Sequence, residues 1–181
     1  MNILLFGVTN VGKTTIGRIL AKELQYNFYD LDEVIQKKFS VTQEKFVKTG
    51  TLEQRDEIRG KIIGEILQAE TTSVIAITPM SFSQYFKDFL NLDNVLAIEL
   101  IDSAENLFDR LVFSDENDVI YKDDVYKNEH KEYYLDEFEA DLEWYGFVYK
   151  DIKNKFNVNA MPPDKATSKL IKKFHLLPKK S

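Results

Sequence analysis

Asn2-Ile3-Leu4-Leu5-Phe6-Gly7-Val8-Thr9-Asn10-Val11-Gly12-Lys13-Thr14 decides the fold of this chain. The apolar run Asn2–Phe6 predicts a short buried strand that stops at Gly7. Gly7 to Thr14 then follows G-x-x-x-x-G-K-[ST] without a gap. Lys13–Leu24 continues as a helix, with Ile16, Ile19, Leu20 and Leu24 at helical spacing. A loop of this kind wraps a polyphosphate with backbone N–H groups, so residues around Gly7 and Gly12 must be free of bulk and of the φ < 0 restriction. The helix that follows turns its N-terminus toward the phosphates. Gly7, Asn10, Val11, Gly12, Lys13, Thr14 and Thr15 therefore form a candidate nucleotide cradle. Lys13 can reach the β/γ-oxygens, and the Thr14 hydroxyl can ligate Mg²⁺.

Outward from that loop, strand and helix patterns alternate. Strands are predicted at Tyr26–Tyr29, Ser73–Ile77, Asn94–Leu100 and Phe156–Val158. Helices are predicted at Leu31–Phe46, Leu52–Leu67, Ser81–Leu90, Ser103–Leu111 and Pro163–Phe174. A further stripe, Leu135, Phe138, Leu142, Tyr145, Tyr149 and Ile152, steps by three and four and is interrupted at Gly146. Residues 113–133 lack an apolar period and read as a polar flap. Five strands alternating with helices imply a parallel sheet covered on both faces, a three-layer α/β/α architecture. No linker or repeat divides the chain, so 1–181 reads as one domain.

Composition narrows the partners. Lys+Arg 24 against Asp+Glu 30 gives a net charge of -6, which argues against nucleic acid as the main partner. Cysteine is absent, which excludes disulfides, thiolate metal sites and cysteine nucleophiles. No stretch approaches a membrane span, and the apolar start is too short for a signal peptide, so a cytoplasmic location is expected. His130 and His175 have no partner at metal-ligand spacing. Charge is unevenly spread: residues 115–143 carry 12 acids against Lys122, Lys127 and Lys131, whereas 9 lysines follow from Lys150 onward, in a solvated helix face and tail. The chain has only four arginines, Arg18, Arg55, Arg59 and Arg110.

Asp30 and Asp32 stand at the end of the second predicted strand. Ligands of an open parallel sheet bind beyond the carboxyl ends of its strands. Two carboxylates beside a phosphate loop suit Mg²⁺ positioning and activation of an acceptor hydroxyl, although a helix N-cap would use one of them in any protein. Thr9-Asn10-Val11-Gly12-Lys13 also resembles the loop of translation-type GTPases. That reading fails, because no aspartate stands three residues before a glycine. The nearest guanine motif, Asn154-Lys155-Phe156-Asn157, lacks its aspartate.

With the loop, the Asp30-Leu31-Asp32-Glu33-Val34-Ile35 segment and the stretch Gly50 to Arg55, the sequence resembles the shikimate kinase family of P-loop kinases. The resemblance implies ATP and Mg²⁺ as cofactors, Asp30 and Thr14 at the metal, and catalysis by Lys13 with Asp32. It also implies an acceptor held by Asp32 and Arg55, and Arg110 lying against the adenine. The acceptor so implied is a small hydroxyl-bearing molecule, with or without a carboxylate for Arg55 to bind and with shikimate itself left open, and the enzyme a monomer or weak homodimer. Several positions depart from the family. Ile77-Thr78-Pro79-Met80 replaces its Gly-Gly-Gly loop, Asn117-Asp118-Val119-Ile120 stands at its arginine-bearing lid, and no arginine follows Arg110. A second expectation stands beside the kinase: a nucleotide-binding regulatory or interaction module on the same fold that transfers little phosphate.

Overall fold

A computed structural model describes residues 1–69 and 71–178. Lys179 and Lys180, the end of the lysine-rich tail, lie outside them. Strand β1 (Asn2–Phe6) leads into helix α1 (Lys13–Leu24), followed by β2 (Asn27–Asp30), α2 (Leu31–Phe39), α3 (Gln43–Val47), α4 (Leu52–Gln68) and β3 (Ser73–Ala76). After two 3-10 turns come β4 (Val95–Ile101) and α5 (Ala104–Asp109). A flap of β5 (Phe113–Ser114), β6 (Ile120–Tyr121) and α6 (Asp124–Glu129) leads into α7 (Lys131–Val148). Strand β7 (Asn154–Asn157) and helix α8 (Pro163–Phe174) complete the fold.

Five strands form one parallel sheet in the order β2-β3-β1-β4-β7, as the alternating pattern predicts. The order places β1, with its phosphate loop, at the centre. Side chains of β1 alternate between two cores. Ile3 and Leu5 join Leu20, Leu107, Phe138 and Leu170 on the α1/α5/α8 side. Leu4 and Phe6 join Ile35, Ile63, Phe86 and Tyr149 on the α2/α4 side. Both faces of the sheet are thus covered, which accounts for the nearly continuous apolar runs of the central strands β1, β3 and β4.

Four predicted elements differ from the fold. The expected helix 31–46 is two helices: Ser40 adopts a left-handed conformation at the end of α2, and the Thr42 hydroxyl caps α3 by accepting from Lys45 N. The expected helix 81–90 is a pair of 3-10 turns, Ser83–Tyr85 and Lys87–Asn91. Here the chain lies so close to α4 that a Cβ on Gly60 would stand 2.5 Å from the Tyr85 carbonyl oxygen. The flap is organised rather than merely polar, since Phe113 packs against Tyr121, Tyr126 and Tyr134 at centroid distances of 5.7, 5.8 and 6.0 Å. Finally, α7 passes through Gly146 unbroken. The stripe is buried at Phe138 and, past the end of α7, at Tyr149 and Ile152, whereas Trp144 and Phe147, aromatics of the same stretch that read as core, are exposed because they lie on the helix face turned away from the sheet's cores.

Tyr149 anchors the residues after β3. Its ring meets Phe6 and Phe86, and its hydroxyl accepts from Met80 N at 3.0 Å in a fully buried position. Tyr149→Phe keeps the ring and orphans that N–H, so unfolding in denaturant should show a loss of about 1–3 kcal/mol.

Candidate active site

The loop between β1 and α1 is held by its own apolar residues. Val8 and Val11 are buried at 3% and 0% exposure, which fixes both limbs of the turn. Gly7 has φ 137°, and a Cβ there would stand 2.5 Å from the Leu100 carbonyl oxygen on β4. No other residue type satisfies both demands. Gly12 caps α1 with φ 101°, and Asn10 takes φ 63° between them. Thr15 lies exposed in the first turn of α1.

The Lys13 ammonium folds back into this loop and donates to the carbonyls of Gly7 at 2.9 Å and Val8 at 2.7 Å. Enclosure lowers its pKa from 10.5 to about 8, against the opposing pull of the Asp32 and Asp30 charges. The lysine is therefore held inside the loop by two backbone carbonyls.

Both aspartates of the β2–α2 junction are brought to this place, in different ways. Asp30 is the N-cap of α2, with Oδ1 accepting from Asp32 N at 3.0 Å and Glu33 N at 3.4 Å. Its other oxygen, Oδ2, accepts from the Thr14 hydroxyl at 2.6 Å. Capping and site chemistry thus coexist in one side chain. Asp32, the second residue of α2, accepts from Gln43 Nε2 at 3.0 Å. Its pKa is raised by burial; Thr78, Arg59 and Gln43 oppose the rise and the Asp30 charge reinforces it.

The two arginines of α4 have separate positions. Arg55, the residue that the motif resemblance assigns to the acceptor, donates through Nη1 to the carbonyls of Thr49 and Gly50, both at 3.1 Å. It serves as a strut for the α3–α4 turn. One turn later, Arg59 is buried at 4% exposure, and its charge acts on Asp32. Its Nη1 donates to Asp56 Oδ1 at 2.8 Å and its guanidinium lies 5.5 Å from the Phe46 ring centroid. Asp56 in turn accepts from Ser81 N at 2.7 Å and Phe82 N at 3.1 Å, in the segment after β3. Asp56, Arg59, Gln43 and Thr78 went unassigned in the sequence. The scarcity of arginine and the i, i+3 spacing of Asp56 and Arg59 were the signals available for the first two.

Arg110, at the end of α5, joins the phosphate loop to the residue that follows β4. Its Nε donates to the Asn10 carbonyl at 2.9 Å and its Nη2 to Asp102 Oδ2 at 2.7 Å. Burial alone would raise the Asp102 carboxyl, but bonds from Asn106, Arg110, Ser103 N and Ala160 N outweigh it and hold the pKa below the usual range. Asp102 thereby ties Arg110 to the 159–161 turn, where Asn159 and Ala160 both adopt positive φ. On the flap, the Asp118 carboxylate accepts from Gln43 N at 2.7 Å, so an acidic residue closes on the helix that supports Asp32. Lys127 and Lys131 lie over the Phe108 ring rather than in the phosphate loop.

The family model described as shikimate kinase matches residues 9–172. A shikimate kinase from Bacillus subtilis is 35% identical over 106 residues, which is 58% of this chain and 56% of that protein, so the chain spans little more than half the length of that relative. Among solved structures, shikimate kinase from Bacteroides thetaiotaomicron superposes with TM-score 0.77 at 22% identity, covering 97% of this chain and 99% of that one. Shikimate kinase from Acinetobacter baumannii in complex with shikimate gives TM-score 0.65 at 22% identity, covering 96% and 93%. At such identities the structures establish a common fold.

Proposed function

The chain belongs to the shikimate kinase family, and from that premise we propose that it moves the γ-phosphate of ATP onto a hydroxyl of a small molecule. The observation that carries this reading is Asp32, a carboxylate of raised pKa close enough to Lys13 for its charge to hold up the lysine's own pKa. Phosphate cradle and hydroxyl-activating base therefore share one site. Residues 1–181 act as a single kinase domain, with 113–133 as its lid, and no nucleic acid or membrane takes part. Among the described residues no helix is long and apolar enough to cross a membrane. We infer a cytoplasmic enzyme that works as a monomer or weak homodimer.

Each residue has a derivable part. The loop amides between Gly7 and Thr15 bind the phosphate oxygens, and α1 points its positive end at them. Lys13 Nζ leaves the Gly7 and Val8 carbonyls for the β/γ-oxygens, where it balances charge that builds up during transfer. Asp32 accepts the proton of the acceptor hydroxyl as that oxygen bonds to the γ-phosphorus and the bond to the ADP oxygen breaks. Its raised pKa makes it a stronger base than a solvated aspartate. Arg110 and the 159–161 turn flank the purine, in line with the strut that Asp102 forms between them. Thr14 and Asp30 offer two hard oxygen donors within 2.6 Å of each other, a pair suited to Mg²⁺ together with phosphate and water. Bound there, Mg²⁺ would be held by the Thr14 hydroxyl and the Asp30 carboxylate and would supply positive charge to the transferring phosphoryl group.

The test is ADP release from Mg-ATP over a panel of hydroxyl compounds, with Lys13→Ala as the blank. Acceptor-dependent release above the blank is expected. Mg-ATP binding with no acceptor raising release above the blank would overturn the kinase reading in favour of a nucleotide-binding module. A second measurement follows from Lys13. Above about pH 8 its amine is neutral in the free protein, and bound phosphate restores the charge, so binding takes up a proton there and weakens as pH rises further. Calorimetry of nucleotide binding near pH 9, in buffers of different ionisation enthalpy, should detect that uptake, and near pH 6.5 this group should contribute none.

A further inference from the structure

Resting on the kinase reading above, we propose that Gln43 is a positioning residue for Asp32, and that Asp118 on the flap holds Gln43 in the pose that sets this carboxylate. Residues from three separate parts of the chain meet here in series. Asp118 Oδ2 accepts from Gln43 N at 2.7 Å, and Gln43 Nε2 donates to Asp32 Oδ1 at 3.0 Å. The bond on Oδ1 restrains rotation of the Asp32 carboxylate about Cβ–Cγ, and so sets the direction in which Oδ2 points. A general base works only within hydrogen-bond reach of the proton it takes, so that direction bears on the rate.

Gln43 needs an anchor from outside its own helix. It is the first residue of α3, which is five residues long and too short to keep its place by its own hydrogen bonds. The far end of α3 is fixed by Phe46, buried in the α2/α4 core. At the near end, the Thr42 cap bonds only within the same turn, and Asp118 supplies the bond to another part of the fold. The Gln43 carboxamide adds no second anchor, since its Oε1 is buried without a partner.

The flap is shaped to deliver that carboxylate. Asp115 closes its turn: Oδ1 accepts from Asn117 N at 2.8 Å and Val119 N at 2.9 Å, and the Asp115 carbonyl accepts from Asp118 N at 3.0 Å. Asp118 takes φ 62° in this turn, a left-handed conformation that aspartate and asparagine adopt more readily than most side chains. From Ser114 to Ile120 every residue is exposed except Asp118, which is half-buried.

Substitutions at position 118 separate the bond from the charge. Asp118→Gly tolerates the left-handed backbone and has no side chain to accept from Gln43 N, whereas Asp118→Asn tolerates it and keeps an oxygen there. Both remove one negative charge. With shikimate as acceptor, Asp118→Gly should lower kcat about tenfold and leave KM for ATP within about twofold, while Asp118→Asn stays within about threefold of wild type. Gln43→Met removes the donor to Asp32 and should lower kcat by about tenfold or more; adding Asp118→Gly to it should cost nothing further, because Asp118 acts through Gln43. An unchanged kcat in Asp118→Gly, equal losses in the glycine and asparagine variants, a loss carried by KM for ATP, or additive losses in the double variant would each overturn the proposal. Hydrogen exchange measured by NMR reads the same link without turnover. The backbone N–H and carboxamide protons of Gln43 should exchange about tenfold or more faster in Asp118→Gly than in wild type or Asp118→Asn. Unchanged carboxamide exchange would also overturn it. A wild type whose ADP release shikimate does not raise above the Lys13→Ala blank counts against the kinase reading for that acceptor, and the exchange comparison then decides by itself whether Asp118 holds Gln43 on Asp32.

Discussion

Lys13→Ala is expected to lower kcat/KM for ATP by about 10²–10³-fold, the scale found when one preorganised charge-stabilising donor is removed from a transition state. The loss should fall on kcat as well as on nucleotide affinity. The loop amides still cradle the phosphates, while the charge that builds up during transfer goes unanswered. Stability should move the other way. The folded-state pKa of about 8 lies below the unfolded 10.5, so the charged lysine is a burden at neutral pH. Wild-type stability then rises as pH climbs from about 8 toward 10.5, a rise that Lys13→Ala lacks. Steady-state kinetics together with thermal melts at about pH 7 and pH 9.5 read both effects. A variant that loses activity through unfolding would show a lowered melting temperature at neutral pH, the opposite of this expectation.

Asp32→Asn should reduce kcat by about 10²–10⁴-fold, the usual range for a positioned general base. The amide keeps the shape and can still accept from Gln43, so Mg-ATP affinity should change little. The pH profile separates base from scaffold. The raised pKa of Asp32 means that wild-type kcat falls as acid protonates it, beginning at a higher pH than for a solvated aspartate. The asparagine variant should have lost that acidic limb along with its rate. A retained limb with a modest drop in kcat would assign the proton to another group.

The nucleotide end was legible in sequence because its chemistry is local. Gly7 to Thr14 carries the proposed phosphate cradle, its lysine and the hydroxyl proposed for the metal within eight consecutive residues, and the buried strand and amphipathic helix around it are equally short-range patterns. Asp30 was legible for the same reason, since its bonds to Asp32 N and Glu33 N close within three residues. The parallel sheet followed from alternation alone, because crossover connections leave few other arrangements.

The acceptor end was not legible, and the reason is geometrical. Arg55 and Arg59 sit four residues apart on α4, so helical periodicity puts them on nearly the same face and cannot say which one reaches Asp32. Depth decides between them. Arg55 lies over the α3–α4 turn, and Arg59 lies beneath it against Phe46, a contact that exists only once α3 has packed. The Ser81–Leu90 segment has a helical pattern, yet its first amides are drawn to Asp56, 25 and 26 residues earlier in the chain. By itself, then, the sequence determined the alternation of strand and helix, the phosphate-loop motif and the place of Asp30 and Asp32 at the end of a strand, each written in patterns a few residues long. Tertiary structure alone decided which arginine acts through its charge on Asp32 and that Asp56 bonds the amides after β3, because those interactions join α2, α4 and the end of β3 and form only when the sheet brings them together.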